Sequence, residues 1–225
     1  MYDFVTGPLA WLSFLVFSVG CAVRAVLYIR GLDWKLDRVA YMPHLKYGIR
    51  GAVRSIVFWL IPFKAHGWRQ KPFMTLLFFT FHAGLLITPI FLLGHNVLMA
   101  ERWGFSLPAL PEGVADVFTI AVMTAAGFLV LRRIGLAEVR ILTTWYDYLV
   151  LAISVAPFVT GFVATHHLGD YDTWLIAHIL SGEIMLVAIP FTKLSHFVLF
   201  FMSRAQIGMD YGIKRGGMKS KGLSW

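Results

Sequence analysis

The sequence predicts an all-α membrane protein with five transmembrane helices forming one bundle, and three observations lead there. Of 225 residues, 58% are hydrophobic and only 14% charged, and the mean hydropathy is +0.71. A soluble domain of this size carries far more polar surface. Five runs of mainly apolar residues are each long enough to cross a hydrocarbon core about 30 Å thick. The loops between the runs alternate between basic and nearly neutral, as loops do on the two sides of a bilayer.

The predicted spans are about 6–28, 73–99, 114–131, 146–166 and 174–203. Arg24 interrupts the end of the first, and nothing like an A-x-A cleavage site follows it, so it is expected to be retained and not removed as a signal peptide. Segment 24–71 holds ten Lys/Arg, loop 132–145 adds Arg132, Arg133 and Arg140, and tail 204–225 adds Arg204, Lys214, Arg215, Lys219 and Lys221. The two remaining loops hold only Arg102 against Glu101, Glu112, Asp170 and Asp172. This alternation puts the N-terminus outside and the C-terminus in the cytoplasm. The formal charge of +8 is thereby read as topology and not as nucleic-acid binding. The localisation that follows is a bacterial inner membrane, crossed several times.

Segment 31–72 is the long cytoplasmic connection. Its apolar stretch Ser55–Phe63 is too short to span and is flanked by Arg50, Arg54 and Lys64, so an interfacial helix is expected there. His44 and His66 belong to this basic segment and read as surface residues. The tail from Gly208 to Trp225, basic and glycine-rich, is expected to be disordered or ordered by a partner. The whole chain, 1–225, reads as a single integral-membrane domain without internal repeats.

Cys21 is the only cysteine. An intrachain disulfide, covalent haem attachment through C-x-x-C-H and a self-contained cysteine-ligated iron–sulfur cluster are all excluded.

Four histidines carry the functional signal. His178 and His196 share the fifth span and are eighteen residues apart. At about 100° and 1.5 Å per residue that is five turns and roughly 27 Å of straight helix, so both imidazoles point the same way near opposite membrane faces. His82 and His95 lie on the second span. Two helices with two imidazoles each suit two stacked, non-covalent b haems with axial histidine ligands to iron. The spans run antiparallel, so the expected pairs are His82 with His196 towards the cytoplasm and His95 with His178 towards the outside. His82 and His95 are thirteen apart, some 220° of rotation, which a kink at Pro89 would have to reconcile. His166 and His167, at the outer end of span four, are the alternative outer ligands. Glu183 is a carboxyl amid apolar neighbours in span five, read either as a proton relay beside a quinone site or as a structural hydrogen-bonding group. No residue is assigned a catalytic role.

Several motifs carry a resemblance. They are Arg132-Arg133, Val139-Arg140 and Thr143-Thr144 with Asp147 opening span four, His178 with Gly182, and Pro190-Phe191-Thr192-Lys193-Leu194 leading to His196. On these the chain resembles the gamma subunit of respiratory nitrate reductase, a five-span dihaem cytochrome b. Gly216-Gly217-Met218-Lys219 and Pro157-Phe158-Val159-Thr160-Gly161 make it more similar still to the gamma-like subunits of the high-molecular-weight cytochrome (Hmc) complexes of sulfate-reducing bacteria. The resemblance implies two haem b between spans two and five; menaquinone is the candidate quinone, bound here or by another subunit of the complex. The family's ligand pair on span two is closer together than His82 and His95. The basic residue that helps hold quinol in nitrate reductase has no counterpart in 112–118, Glu-Gly-Val-Ala-Asp-Val-Phe.

The expected function is electron transfer across the membrane, within an oxidoreductase complex of the respiratory chain. Electrons would pass between a quinone or a periplasmic multihaem cytochrome c and a cytoplasmic iron–sulfur protein. Membrane lipids and other integral-membrane subunits are the further partners. The competing reading is a structural membrane anchor with one haem or none that docks redox partners. A proton-coupled transporter built on Glu183 is disfavoured because five spans show no repeat pair.

Overall fold

A computed structural model describes residues 2–32 and 44–214. Among them the chain is helical, with no strand. We number the helices α1 (Tyr2–Arg30), α2 (Leu45–Leu60), α3 (His66–Gln70), α4 (Pro72–Phe91), α5 (Leu93–Trp103), α6 (Glu112–Gly135), α7 (Ala137–Arg140), α8 (Trp145–Thr165), α9 (Tyr171–Phe191) and α10 (His196–Lys214). Five of these, α1, α4, α6, α8 and α9, are long and apolar enough to cross a membrane. Near the start of α1, Pro8 lies in a wider π-helical turn, Val5–Leu9, as suits a residue without an amide N–H.

Two of the predicted spans are shorter than expected. Span two, expected over 73–99, is interrupted at Leu92, whose ψ of 135° is extended. The continuous run 174–203 is interrupted at Thr192, likewise extended, followed by a 3₁₀ turn Lys193–Ser195. Pro89 and Pro190 precede the two breaks, and each removes an amide donor from the ladder. His178 and His196 therefore lie on successive helices, and the five-turn register of a straight helix does not apply to them.

The chain divides into two compact units, Met1–Trp11 with Leu76–Met185 and Leu12–Thr75 with Leu186–Trp225. In the first, Leu77 and Phe81 of α4, Val122, Ala125 and Ala126 of α6 and Phe158 of α8 form a buried cluster. α4 meets α6 at Gly84, where a Cβ would strike the Val122 side chain. Small residues at such crossings let backbones approach, which is how helices associate where lipid offers no hydrophobic gain. Buried hydroxyls turn back onto their own helices, Thr119 to the Ala115 carbonyl and Ser154 to that of Val150. Outward faces are apolar: Val117, Ile120, Phe128 and Leu131 on α6, Leu149 and Val159 on α8, and Leu76 and Leu86 on α4 are all exposed. Faces of this kind are excluded from water in a stable protein; here they are the lipid-facing surface of a multi-pass membrane protein.

Two caps explain loop motifs seen in the sequence. Asp147 is buried, and its Oδ2 accepts from the Thr144 amide at 2.9 Å and hydroxyl at 3.0 Å. Arg133 lies 4.0 Å from Oδ1 and donates to the Thr143 hydroxyl at 3.4 Å. Arg133, Thr143, Thr144 and Asp147 together fix the entry to α8. At the start of α9, Asp170 accepts from the Thr173 hydroxyl at 2.6 Å and amide at 3.0 Å, and these bonds hold its carboxyl below the usual carboxylate range.

In the second unit, α2 packs against α10 through glycines. A Cβ on Gly51 would strike the Gly208 carbonyl, and one on Gly212 would come within 2.6 Å of the Tyr47 carbonyl. The interfacial helix expected over Ser55–Phe63 thus begins at Leu45 and has a partner. The tail from Gly208, expected to be disordered or ordered by a partner, is helical as far as Lys214, because Gly208 and Gly212 form its contact with α2 within the same chain. The remainder of that expectation, 215–225, lies outside the described residues, as does 33–43. Arg24 and Gly20 of α1 meet Pro190, the former donating to its carbonyl at 2.6 Å and the latter leaving room for its ring.

These contacts give graded expectations. Gly51→Ala places a methyl against backbone and should lower thermal stability in detergent by about 2 kcal/mol or more. Gly48→Ala meets only the flexible ends of Ile213 and Met209, at 3.2 and 3.3 Å, and should cost well under half as much. Asp147→Ala should cost about 1–2 kcal/mol, read from the same unfolding curves. The Asp170 cap is intact above the carboxyl's unfolded pKa and is lost as pH falls through its lowered folded value. Acidification should accordingly speed hydrogen exchange at the Thr173 amide.

Candidate functional site

The break between α4 and α5 builds one half of the site. Four carbonyls at a helix C-terminus have no partner inside the helix, and in an apolar setting each must find one. Here all four are satisfied. Thr88 accepts from the Leu92 amide at 2.9 Å, and Phe91 from the Leu110 amide at 2.8 Å. Pro89 accepts from His95 Nδ1 at 2.8 Å, and Ile90 from Asn96 Nδ2 at 3.2 Å. The Asn96 side-chain Oδ1 in turn accepts from the Leu107 amide at 2.7 Å. His95 is thereby fixed in place and in tautomer. With Nδ1–H donated, Nε2 keeps its lone pair.

The other half comes from α8 and α9. His178 Nδ1 donates across to the Pro157 carbonyl at 2.8 Å. Gly161, one turn on from Pro157, makes this approach possible, since a Cβ there would lie 2.8 Å from His178 Nδ1. The Thr160 and Ser181 hydroxyls, 3.1 Å apart, join the same two helices. The Pro157-to-Gly161 segment is therefore the seat of His178.

His95 and His178 come together, with ring centroids 5.8 Å apart and planes 19° apart. Two imidazoles sharing one metal at about 2 Å per bond have centroids roughly 6 Å apart. Both are half-buried, and both send Nδ1–H to a backbone carbonyl. Metal-ligating histidines typically do this with the ring nitrogen that does not bind the metal. The donor set, tautomer and spacing fit the two axial positions of a haem.

The alternatives are otherwise engaged. His166 Nε2 lies 3.1 Å from Asp116 Oδ1 at the surface. His167, with a φ of 50°, lies beside the Tyr171 ring at 5.2 Å and is exposed.

His82, in the first unit, sends Nδ1 to the Phe78 carbonyl at 2.8 Å, and Phe78 covers its ring at 4.1 Å between centroids. His196, in the second unit, sends Nδ1 to the Lys193 carbonyl at 2.8 Å. It follows the 3₁₀ turn at the head of α10, as His95 follows the break at Leu92. All four expected ligands thus share one tautomer. Among the described residues no three His, Cys, Asp or Glu side chains cluster as a metal cage. Axial haem ligation asks for two imidazoles and no such cage.

Glu183 is buried, and neither carboxyl oxygen has a hydrogen-bond partner among the described residues. Lys193 is exposed at the 3₁₀ turn, as a snorkelling side chain would be. Residues not singled out in the sequence are Asn96, which completes the end of α4, and Pro157 and Gly161 in their role toward His178. The P-x-x-x-G spacing was visible, but the helix it would face was not.

Fold and site together define an all-α, multi-pass membrane protein with a facing pair of half-buried histidines between its helices. Over 217 residues the chain is 62% identical to a protein of Nitratidesulfovibrio vulgaris, with 96% of each covered, and it belongs to the family that this protein represents. No family model matches the chain, and no solved structure does.

Proposed function

We propose that the chain is the cytochrome b subunit of a respiratory redox complex in a bacterial inner membrane, holding two non-covalent b haems. The observation that carries this reading is the His95–His178 pair, with centroids 5.8 Å apart and each Nδ1–H bound to a carbonyl at 2.8 Å. These residues would hold the outer haem. His82 and His196, paired by the order of the spans, would hold the inner one. A haem so ligated supplies a one-electron Fe(III)/Fe(II) couple.

The chain's own residues orient the haems. The Pro89 and Pro157 carbonyls keep both Nε2 lone pairs directed away from the backbone, and hydrogen bonds to Nδ1–H raise ligand basicity. Glu183, a carboxyl without a hydrogen-bond partner one and a half turns past His178, is the group we assign to proton transfer if quinol is oxidised here. The donor or acceptor pair of this reading is a quinone such as menaquinone, or a periplasmic multihaem cytochrome c, on one side and a cytoplasmic iron–sulfur protein on the other. Resemblance to the nitrate reductase gamma family supports the same assignment.

The protein purified in mild detergent, with any subunits that accompany it, should contain two haems per chain by pyridine haemochrome. The reduced spectrum should show a sharp b-type alpha band unchanged by carbon monoxide, because both axial positions are filled. Absence of haem would leave the structural anchor as the better description.

A further inference from the structure

His95 is carried by a helix with little apolar support. α5 has eleven residues, and an isolated helix of that length is marginal in water. Its single buried residue is polar: Asn96, only 3% exposed. Leu93, Val97, Leu98 and Trp103 are all exposed. Helices are ordinarily held to a fold by the packing of an apolar face, and α5 buries no apolar side chain.

Asn96 supplies the attachment instead. Its Nδ2 donates to the Ile90 carbonyl at 3.2 Å and to the Leu92 carbonyl at 3.1 Å, and its backbone amide reaches the same Leu92 carbonyl at 3.0 Å. Its Oδ1 accepts from the Leu107 amide at 2.7 Å. One carboxamide thus ties together the end of α4, the first turn of α5 and the returning loop 104–111. The loop can return because Gly104 ends α5 at a φ of 73°, a left-handed conformation that glycine adopts without strain. A second bond, from the Leu110 amide to the Phe91 carbonyl at 2.8 Å, closes the same loop on the same helix end. No other side chain of this size offers two donors and an acceptor together. His95 is the adjacent residue, and its ring is tied to α4 by one bond, from Nδ1 to the Pro89 carbonyl at 2.8 Å. A single hydrogen bond contributes little net stability, so the ring stays in place only while α5 does.

We propose that Asn96 is the positioning residue for His95: it pins α5 to the end of α4 and so keeps the imidazole opposite His178. The proposal rests on the reading of His95 and His178 as the two axial ligands of one haem. Without the carboxamide the Ile90 carbonyl and the Leu107 amide lose their partners, and α5 is free to swing at Leu92 with the His95 ring upon it. The departure of His95 leaves one axial position open to a small ligand. An asparagine that served stability alone would have no such effect on ligation.

The test uses the full-length protein, purified with its accompanying subunits and reduced, with carbon monoxide as the probe. The wild type should hold two haems per chain and show no spectral shift. Asn96→Ala should bind carbon monoxide at one haem or lose that haem, the component also lost in His178→Ala, while the other haem stays inert. Asp147→Ala, which weakens the fold at the start of α8, should keep both haems inert. Two inert haems in Asn96→Ala would overturn the positioning role alone, and so would equal carbon monoxide sensitivity in Asn96→Ala and Asp147→Ala. A wild type without haem would refute the haem reading and this proposal with it. Should Asn96→Ala not accumulate, hydrogen exchange of the wild type decides. The Leu107 amide should exchange about tenfold or more slowly than the neighbouring Ser106 amide; equal rates would mean that Asn96 does not hold the loop, and would overturn the proposal.

Discussion

A backbone carbonyl cut off from its own helix must find a donor, and in a lipid-facing protein water is not there to supply one. Much of this structure follows from that requirement. Pro89 and Pro190 interrupt the amide ladder, the chain breaks at Leu92 and Thr192, and side chains answer the carbonyls. At the end of α4 the donors are His95 and Asn96. Near the end of α9 the donor to Pro190 is Arg24. Pro157 is a different case: it lies inside the unbroken α8, and its carbonyl receives His178 as an added donor. A neutral imidazole that donates Nδ1–H to a carbonyl has its lone pair at Nε2, and that is the form in which histidine binds a metal. The break at Leu92 thus fixes the ring of His95, whereas His178 is held by a helix that continues past Pro157.

Close backbone approach is the second constraint. Gly161 admits the His178 ring to α8, Gly84 admits Val122 to α4, and Gly51 with Gly208 brings α2 onto α10. Association of apolar helices in lipid draws on packing and hydrogen bonding, so these small residues carry weight that a water-soluble core would give to large aliphatic ones. Large apolar side chains are consequently free to face outward, as they do along α6 and α8.

Much of this was legible in the sequence because it depends on composition and length. The five long apolar helices, the helix in the basic segment and the candidate histidines follow from hydropathy and from ionisable residues in apolar runs. The pairing of His95 with His178 followed from antiparallel order, although helical rotation argued against His95. That rotation argument assumed a straight helix, and the break at Leu92 removes the assumption. The same error gave His178 and His196 a common face across Thr192. A proline announces a missing hydrogen bond but not whether the helix bends or stops; that is decided by donors such as Asn96, supplied from further along the chain. The glycine-rich tail from Gly208 reads as disordered or ordered only by a partner because glycine disfavours an isolated helix. Its partner, α2, lies about 160 residues away in sequence, beyond the reach of any local pattern.

The central claim is that His95 and His178 grip one iron. The most direct measurement is haem content per chain in three single variants, His95→Ala, His178→Ala and His166→Ala, each purified with its accompanying subunits. The account predicts that the first two each fall from two haems to one, losing the same spectral component, while the third keeps both. Two haems retained in His95→Ala, with one lost in His166→Ala, would contradict it.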